Sequence, residues 1–389
     1  MSAQVISLGC RLNIAESDAI AAMLGARDAV VVNSCAVTGE AAKQSRAALR
    51  RARRERPGAE LIVTGCAATI DPAGFAGFAD RIVPNAAKLL PGSWGAARAM
   101  PPSGRHARAF VPVQDGCDHA CTFCIIPQGR GPSRSLPVAS VTARISALAA
   151  AGQREVVLTG VDLTSYGHDL PDTPTLGMLC ARILAAAPGL QRLRLSSLDS
   201  IEIDPALFDL LAGEPRMMPH VHLSLQAGND LVLKRMRRRH LRHEAVALVA
   251  RLKARRPEMA IGADLIAGFP TETEAMFADT LALLDDCDIV HAHVFPYSVR
   301  EGTAAARMPQ VPVEIRRDRA ARLREAAATR KARWLRSLIG TVQDVLVEKP
   351  GTRGHAGNFA DVTVAPAPVG SVRRVVIGGV ADQRLIGAN

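Results

Sequence analysis

The chain has 389 residues, a net charge of +11 and a hydrophobic fraction of 48%. This length suffices for two or three domains with cores of their own, and the apolar content excludes a chain that is disordered throughout. The basic balance suits a polyanionic partner or a solvated arginine-rich surface equally well, whereas an aromatic content of 3% argues against a stacking platform for single-stranded nucleic acid.

Membrane and secretion signals are not found in the sequence. No apolar run approaches the roughly 20 residues that a membrane-spanning helix requires. The N-terminal MSAQVISLGC has no basic start followed by an apolar segment, so no signal peptide is expected. We therefore expect a cytoplasmic protein without membrane contact. In that compartment the eight cysteines favour metal binding or catalysis over disulfides.

Residues 1–98 are predicted to form a small α/β domain in which three strands each end at a cysteine. The runs AQVISLG, AVVVNSC and AELIVTGC lead to Cys10, Cys35 and Cys66. In open α/β sheets ligands bind at the carboxyl ends of the strands, so the three thiols are expected to converge despite their wide spacing. A Pro-, Gly- and Arg-rich segment at 100–110 is expected to be a linker.

Residues 99–338 are predicted to form an incomplete (β/α)6 barrel, because strand-like runs alternate with helical patterns. The six runs span 109–114, 155–161, 190–196, 220–226, 260–268 and 289–297. Sites in such barrels lie at the C-terminal ends of the strands, and that rim would carry Asp162, Gln226 and the segment with Ser196, Ser197 and Asp199.

The C-terminal part changes character after a charged helix predicted at 314–338. Over residues 339–389, valines alternate with polar residues between Gly- and Pro-rich turns, which predicts a small all-β barrel. The predicted fold class is therefore α/β, with an N-terminal α/β domain, a partial barrel and a small β-barrel.

The strongest chemical signal is GCDHACTFCIIP at 116–127. There Cys117, Cys121 and Cys124 are separated by three and then two residues. A tight loop with three thiolates can hold three irons of a [4Fe-4S] cluster and leave the fourth iron open to a small molecule. A structural zinc site is the alternative, with His119 inside the loop as a fourth ligand.

The motif resembles the signature of the radical S-adenosylmethionine (SAM) superfamily, including Phe123 just before the last cysteine. Over nearly the whole chain the sequence resembles the methylthiotransferase family, and its C-terminal segment resembles the tRNA-binding TRAM domain. The segments that carry this likeness are SLGCRLN, VVNSCAVT, VTGCAA, LTGVDLTSYG, LRLSSLD, HLSLQAGND and DLIAGFPTET. The combination of NSCAVT with KQSRAALRRARR most resembles the MtaB type of that family.

This resemblance implies a function and a set of sites. MtaB-type enzymes convert N6-threonylcarbamoyladenosine at tRNA position 37 to its 2-methylthio form. The cofactors implied are S-adenosyl-L-methionine and two [4Fe-4S] clusters, and the partners are tRNA and a low-potential electron donor of the flavodoxin or ferredoxin type, with the chain as a monomer. The implied metal ligands are Cys10, Cys35, Cys66 and the catalytic Cys117, Cys121 and Cys124; the implied cofactor-binding residues are Phe123, Asp162, Ser196 and Gln226.

The mechanism implied divides the work between the two clusters. One SAM molecule methylates sulfur held at the N-terminal cluster, and a second is cleaved to a 5′-deoxyadenosyl radical that removes the hydrogen at adenosine C2. The alternatives are a methylthiotransferase acting on another modified adenosine or on a ribosomal protein, and a non-catalytic RNA-binding protein with structural zinc.

Two features depart from the family pattern. The segment from Cys10 to Cys35 is about ten residues shorter than expected, which suggests that a strand is missing from the first domain. The TRAM-like segment is only weakly basic, so tRNA binding is expected to use other patches as well. The candidates are 234–239 and the arginines of the 316–336 helix.

Overall fold

The computed structural model describes residues 3–98 and 106–388. Within these ranges a parallel sheet is followed by six further parallel strands with outer helices and then by a closed β-barrel. The predicted fold class is confirmed. Most of the linker predicted at 100–110 lies outside the described residues. No helix in the described ranges is long and apolar enough to cross a membrane.

The N-terminal part is a four-stranded parallel sheet with strand order β1-β2-β3-β4. Its elements are β1 (Gln4–Ser7), α1 (Arg11–Leu24), β2 (Ala29–Ser34), α2 (Gly39–Glu55), β3 (Glu60–Gly65), α3 (Cys66–Ile70), α4 (Ala73–Ala76) and β4 (Arg81–Ile82). Every residue of β2 is buried, which explains its continuous apolar run. The short segment between Cys10 and Cys35 contains one helix, α1, which joins two neighbouring strands directly.

The middle part holds the six predicted parallel strands. Its strands are β5 (Arg108–Pro112), β6 (Gln114–Asp115), β7 (Arg134–Ser135), β8 (Glu155–Thr159), β9 (Arg192–Leu195), β10 (His220–Gln226), β11 (Ala260–Ala267) and β12 (Ile289–Pro296). The sheets β5-β8-β9 and β10-β11-β12 are joined by a parallel bridge between Leu198 and Leu223, while β6 and β7 form a separate antiparallel pair. The six strands thus make an open barrel.

The barrel strands are covered on their outer side by helices. These are α6 (Val138–Ala150), α7 (Leu176–Ala186), α8 (Pro205–Gly213), α10 (Arg242–Arg255), α11 (Glu274–Asp286) and α12 (Val313–Ser337). Two further helices, α5 (Ile126–Arg130) and α9 (Asp230–Met236), pack in other apolar clusters. Because side chains alternate along a strand, Val221, Leu223 and Leu225 of β10 join the apolar core beneath the helices. His220 and His222 of the same strand therefore face the lumen.

The C-terminal part is a closed barrel with strand order β13-β14-β15-β17-β16, as the alternating valines predict. Its strands are β13 (Val342–Glu348), β14 (Arg353–Ala356), β15 (Asp361–Thr363), β16 (Val372–Ala381) and β17 (Arg384–Ala388). A core that includes Val345, Val347, Val362 and Leu385 fills its interior, and the end of α12 contributes Leu335 to it.

Phe359 joins this small barrel to the floor of the large one. The residue lies between β14 and β15 with a φ of 67°, and its ring stacks on those of His220 and His355 at 5.0 and 4.6 Å. The guanidinium carbons of Arg108 and Arg194 lie 5.2 and 5.0 Å from the ring centroid. The C-terminal barrel therefore closes the lumen at the N-terminal ends of the strands.

Glu155 neutralises the arginines at this floor. Its carboxylate is 1% exposed and is approached by Arg194 at 3.1 Å and Arg108 at 3.7 Å, with Arg192 also paired to it. Burial alone would raise the pKa of Glu155, but the three guanidinium groups outweigh it and lower that pKa to about 2.

We expect Glu155→Gln to lower the free energy of unfolding near neutral pH by about 3–5 kcal/mol, because the substitution leaves buried guanidinium groups without a counter-charge. The folded-state pKa lies below the ordinary 4.5, so the stabilisation is present above pH 4.5 and is lost as the pH falls toward 2. Urea denaturation at several acidic pH values should therefore show that the free energy of unfolding falls less steeply with decreasing pH in the variant than in the unaltered chain.

The matched control is Glu60→Gln. Glu60 pairs with Arg81 at 3.0 Å on the surface, with both side chains about one third exposed, and its loss should cost less than about 1 kcal/mol. Equal losses in the two variants would contradict the role given to Glu155.

Candidate functional site

The first three cysteines stand at the carboxyl ends of adjacent parallel strands. Cys10 caps α1 after β1, Cys35 directly follows β2, and Cys66 opens α3 after β3. Burial, together with smaller effects of the nearby thiols of Cys10 and Cys66, raises the pKa of Cys35 to about 11. The sequence prediction that these cysteines converge agrees with this geometry.

Gly9 allows the backbone to approach this cysteine triad closely. Its φ of 91° lies in the left-handed region, and a Cβ atom at this position would stand 2.6 Å from Sγ of Cys35. No larger residue fits without displacing that sulfur atom. The space that Cys35 occupies is therefore available only because the residue at position 9 is a glycine, which has no side chain.

The second cysteine triad lies in the loop between β6 and α5. Three N–H groups point at its sulfur atoms: those of the His119 and Ile126 backbones, at 3.4 Å from Cys117 and 3.5 Å from Cys124, and Nη1 of Arg238, at 3.7 Å from Cys121. Such donors stabilise thiolates and tune the iron–sulfur clusters bound to them.

The donor set fits an iron–sulfur cluster. Burial raises the pKa of Cys117 to about 12 and that of Cys124 to about 11. Three thiolates in this environment require a positive partner, which a bound metal centre provides. The residues present therefore suit a thiolate-ligated cluster.

His119 contacts two carboxylates, whereas the zinc alternative requires it to be a metal ligand. Its Nε2 lies 2.7 Å from Asp162 and 3.7 Å from Glu202. The hydrogen bonds to these two carboxylates raise the pKa of His119 to about 10, against a smaller opposing effect of burial. To join the three cysteines as a zinc ligand through this nitrogen, His119 would have to give up its contact with Asp162.

A cavity of 270 Å³ opens beside the second triad. It is lined by Phe123, Asp162 and Gln226, three of the residues for which the sequence predicts cofactor binding, whereas Ser196 does not line it and its neighbour Ser197 does. The hydroxyl of Ser196 is buried without a hydrogen-bond partner. Gln226 has a φ of 69°, a strained conformation that is common at functional sites.

Four further residues line this cavity: Ser197, Asp199, Ser224 and Arg238. The sequence placed Ser197 and Asp199 on the same barrel rim but did not assign Ser224 or Arg238 to the site. Ser224 could have been found from the alternation along β10, because it shares a face with Gln226. Arg238 gave no such signal, since its contacts with Asp199 and Cys121 bring together three distant segments.

A second cavity of 190 Å³ continues from the first and shares Val37, Phe123 and Gln226 with it. Asp264 lies on its wall, 3.1 Å from both Nε2 of His222 and Nδ1 of His293. Exposed Phe295 adds an aromatic surface. His222 and His293 thus flank a carboxylate on the wall of this second cavity.

The two triads are close neighbours. Nδ2 of Asn85 lies 3.5 Å from Sγ of Cys66 and donates a 2.7 Å hydrogen bond to the carbonyl of Gly129, in the helix that follows the second triad. A Cβ atom on Gly129 would stand 3.2 Å from Cβ of Cys66. One region of the molecule therefore contains six of the eight cysteines.

We expect Gly9→Ala to remove about half of the iron that the chain binds after anaerobic reconstitution, because the new methyl group displaces Cys35. Gly25→Ala is the matched control: Gly25 also has a positive φ, 58°, but a Cβ atom there meets nothing within 4 Å. Both variants incur backbone strain of about 1–3 kcal/mol. Full iron in Gly9→Ala would show that this approach does not shape the triad.

The chain matches two family models. Residues 111–284 match the Radical SAM superfamily, and residues 2–82 match Uncharacterized protein family UPF0004. Among solved structures, the radical S-adenosylmethionine methyltransferase TsrM from Kitasatospora setae matches with a TM-score of 0.53 and 18% identity, over 72% of this chain and 64% of TsrM. The cobalamin-dependent radical enzyme OxsB matches with a TM-score of 0.54 and 10% identity, over 84% of this chain and 56% of OxsB. These likenesses show the fold.

Curated relatives match over almost the full length. The threonylcarbamoyladenosine tRNA methylthiotransferase MtaB of Rickettsia prowazekii is 41% identical, over 99% of this chain and 94% of the relative. The MtaB protein of Chlamydia pneumoniae is 32% identical, over 99% and 97%. The tRNA-2-methylthio-N(6)-dimethylallyladenosine synthase of Sorangium cellulosum is 34% identical, over 91% and 83%. With such identity across both cysteine triads and the barrel, the chain belongs to the radical SAM methylthiotransferase family.

Proposed function

We propose that this enzyme transfers a methylthio group to C2 of N6-threonylcarbamoyladenosine at position 37 of tRNA. The observation that carries the proposal is the pair of cysteine triads beside two connected cavities. The names of the MtaB relatives, which match over nearly the whole chain, support the threonylcarbamoyl substrate. An aromatic C–H group has no useful acidity, so acid–base catalysis cannot activate it and a radical route is required.

Membership of the superfamily implies one [4Fe-4S] cluster and SAM. Cys117, Cys121 and Cys124 would hold this cluster, which when bound supplies the electron that cleaves SAM. We further propose that Cys10, Cys35 and Cys66 hold a second [4Fe-4S] cluster. The Gly9 cradle beside Cys35 and the nearby Asn85 support this assignment.

The chain's own residues bind and shield the reactants in the first cavity. Asp162 accepts a 2.7 Å hydrogen bond from Ser165, which fixes its carboxylate at the rim, where an amino group or a ribose could bind. Arg238 bonds Asp199 at 2.9 Å while it faces Cys121, so the sulfur and the rim are positioned together. Phe123 packs edge-on against Phe269 at 6.4 Å and keeps water from this wall.

The basic patches predicted from sequence are largely engaged within the protein. Arg319 and Arg330 of α12 pair with acidic residues, and so does Arg239. On the C-terminal barrel, by contrast, Arg353 and Arg373 are exposed and form no ion pair among the described residues. We propose that they contact tRNA, that a flavodoxin- or ferredoxin-type protein donates electrons, and that the chain acts as a monomer.

The proposed reaction is tested by anaerobic reconstitution with iron and sulfide, followed by nucleoside mass spectrometry of added tRNA. The intact chain should bind about eight irons and form the 2-methylthio derivative of N6-threonylcarbamoyladenosine. A product formed only on a dimethylallyl-bearing tRNA would overturn the substrate assignment, and about four irons without any methylthiolated product would overturn the reaction.

We expect Cys121→Ala to abolish SAM cleavage while about four irons remain, because only the second triad loses a ligand. Cys180→Ala is the control, since Cys180 is fully buried in α7 among apolar residues and should keep full iron and activity. SAM cleavage is followed as release of 5′-deoxyadenosine under dithionite. Cleavage that persists in Cys121→Ala would refute the assignment of the radical site.

We expect Arg353→Glu combined with Arg373→Glu to weaken tRNA binding, because each substitution removes a cation that neutralises a phosphate. The log–log dependence of affinity on salt should become shallower by about one unit for each phosphate that is no longer neutralised. Filter binding at several salt concentrations measures both quantities. SAM cleavage without tRNA is the internal control and should not change. Unaltered affinity would remove these arginines from the tRNA interface.

A further inference from the structure

Arg11 is the first residue of α1 and directly follows Cys10, a member of the first triad. Its guanidinium carbon lies 5.5 Å from the centroid of Phe359 on the lumen floor. Arg194, Glu155 and Asp264 act on it electrostatically, and all three belong to barrel strands. The side chain therefore extends from the N-terminal sheet into the barrel lumen.

This position is unfavourable for a cation in three ways. Arg11 occupies the positive end of a helix dipole, and the first turn of α1 has no acidic residue. Burial, and then the charge of Arg194, lower the pKa of Arg11. Among the described residues its guanidinium forms no hydrogen bond and no ion pair.

The neighbouring charges do not supply a partner. Glu155 is shared by Arg108, Arg192 and Arg194, and Arg108 also pairs with Glu348. Asp264 is already held between His222 and His293. Arg11 is thus a surplus positive charge in the lumen, with donors that remain free to bind an anion.

The second cavity and Arg11 have Asp264 as a common neighbour. Asp264 lies on the wall of this cavity, which continues into the cavity beside Cys117, Cys121 and Cys124. C2 and the N6 substituent lie on opposite sides of N1 in adenine. An adenosine with C2 at the cysteine sites can therefore place its N6 substituent in the second cavity.

We propose that Arg11 binds the carboxylate of the N6-threonylcarbamoyl group and thereby selects the anionic substrate. The inference rests on the proposed function, because it assigns a partner within that same substrate. A guanidinium–carboxylate pair can form two parallel hydrogen bonds, which fix the orientation of the bound group as well as its charge. A neutral alkyl substituent would leave the guanidinium without a partner.

The competing explanation is that Arg11 only packs against Phe359, a cation–π contact that would stabilise the floor of the lumen. The two explanations differ in their dependence on substrate charge. A structural role affects all substrates alike, whereas a carboxylate contact affects only the substrate that carries the charge.

The experiment uses two anticodon stem-loop RNAs, one with the N6-threonylcarbamoyl acid and one with its methyl ester. We expect Arg11→Gln to lower kcat/KM for the acid by about 10- to 100-fold, because the substitution removes a hydrogen-bonded charge. The kcat/KM for the ester should change little. Arg11→Lys should recover part of the loss. Iron content and SAM cleavage without RNA should match those of the unaltered chain.

Arg144→Gln is the matched control, since Arg144 is also half-buried and without an ion pair among the described residues but lies on α6 in the outer helical layer. Its kcat/KM for the acid should not change. The inference is refuted, while the proposed function stands, if Arg11→Gln has the same kcat/KM for the acid as the unaltered chain. The same holds if the variant loses activity on the acid and on the ester equally. If the unaltered chain modifies neither RNA, both fall.

Discussion

A buried ion pair between Arg130 and Glu16 fixes the two cysteine triads relative to each other. Arg130 ends α5, the helix that follows the second triad, while Glu16 lies on α1, the helix that Cys10 caps. Nη1 and Nη2 of Arg130 donate to the two oxygens of Glu16 at 3.0 and 3.2 Å, and Nζ of Lys88 lies 2.6 Å from the same carboxylate. Because Glu16 and Arg130 are almost fully buried, a shift of either helix would strand a charge away from water, which costs several kcal/mol. The distance between the triads is therefore held by charge as well as by packing.

The helix α1 connects this constraint to the lumen. Along one short element it carries Cys10 at its start, Arg11 directed into the barrel, Asn13 bonded to Arg130 at 2.7 Å, and Glu16. Its position is thus determined from one side by Arg130 and from the other by the sheet of the N-terminal part. The lumen floor is determined separately, by Phe359 and the arginines around Glu155. Two charged, buried assemblies thus position the N-terminal helix and the lumen floor independently of each other.

Sequence reasoning found the parts of this arrangement that local patterns encode. The strands of the barrel and the cysteines at strand ends follow from apolar runs and short spacings, and their positions agree with the structure within a few residues. Contacts between segments that are far apart in the chain leave no local sequence pattern, so the sequence did not predict them. The two-residue β4 is too short to show periodicity, and the charges of α12 resembled a solvated or RNA-binding face because Asp285 and Asp288, which pair with Arg330, lie more than 40 residues away. Ser197 lines the cavity in place of Ser196 for a related reason: where β9 ends at Leu195, strict alternation no longer predicts which side chain faces the cavity.

Contacts between distant segments also bear on substrate selection, because the relatives of this chain include enzymes named for threonylcarbamoyl- and for dimethylallyl-adenosine. A cavity that merely fits an apolar substituent discriminates weakly against a polar one of similar size, whereas a site with a buried polar group strongly rejects a ligand that leaves that group unpaired. Arg11 gives this lumen the second kind of selectivity: a dimethylallyl group would have to cover a guanidinium that already lacks a partner among the described residues and is repelled by Arg194. The carboxylate of a threonylcarbamoyl group would relieve both penalties at once. A single side chain beside Cys10 can therefore separate two substrates whose reacting C2 atoms are chemically alike.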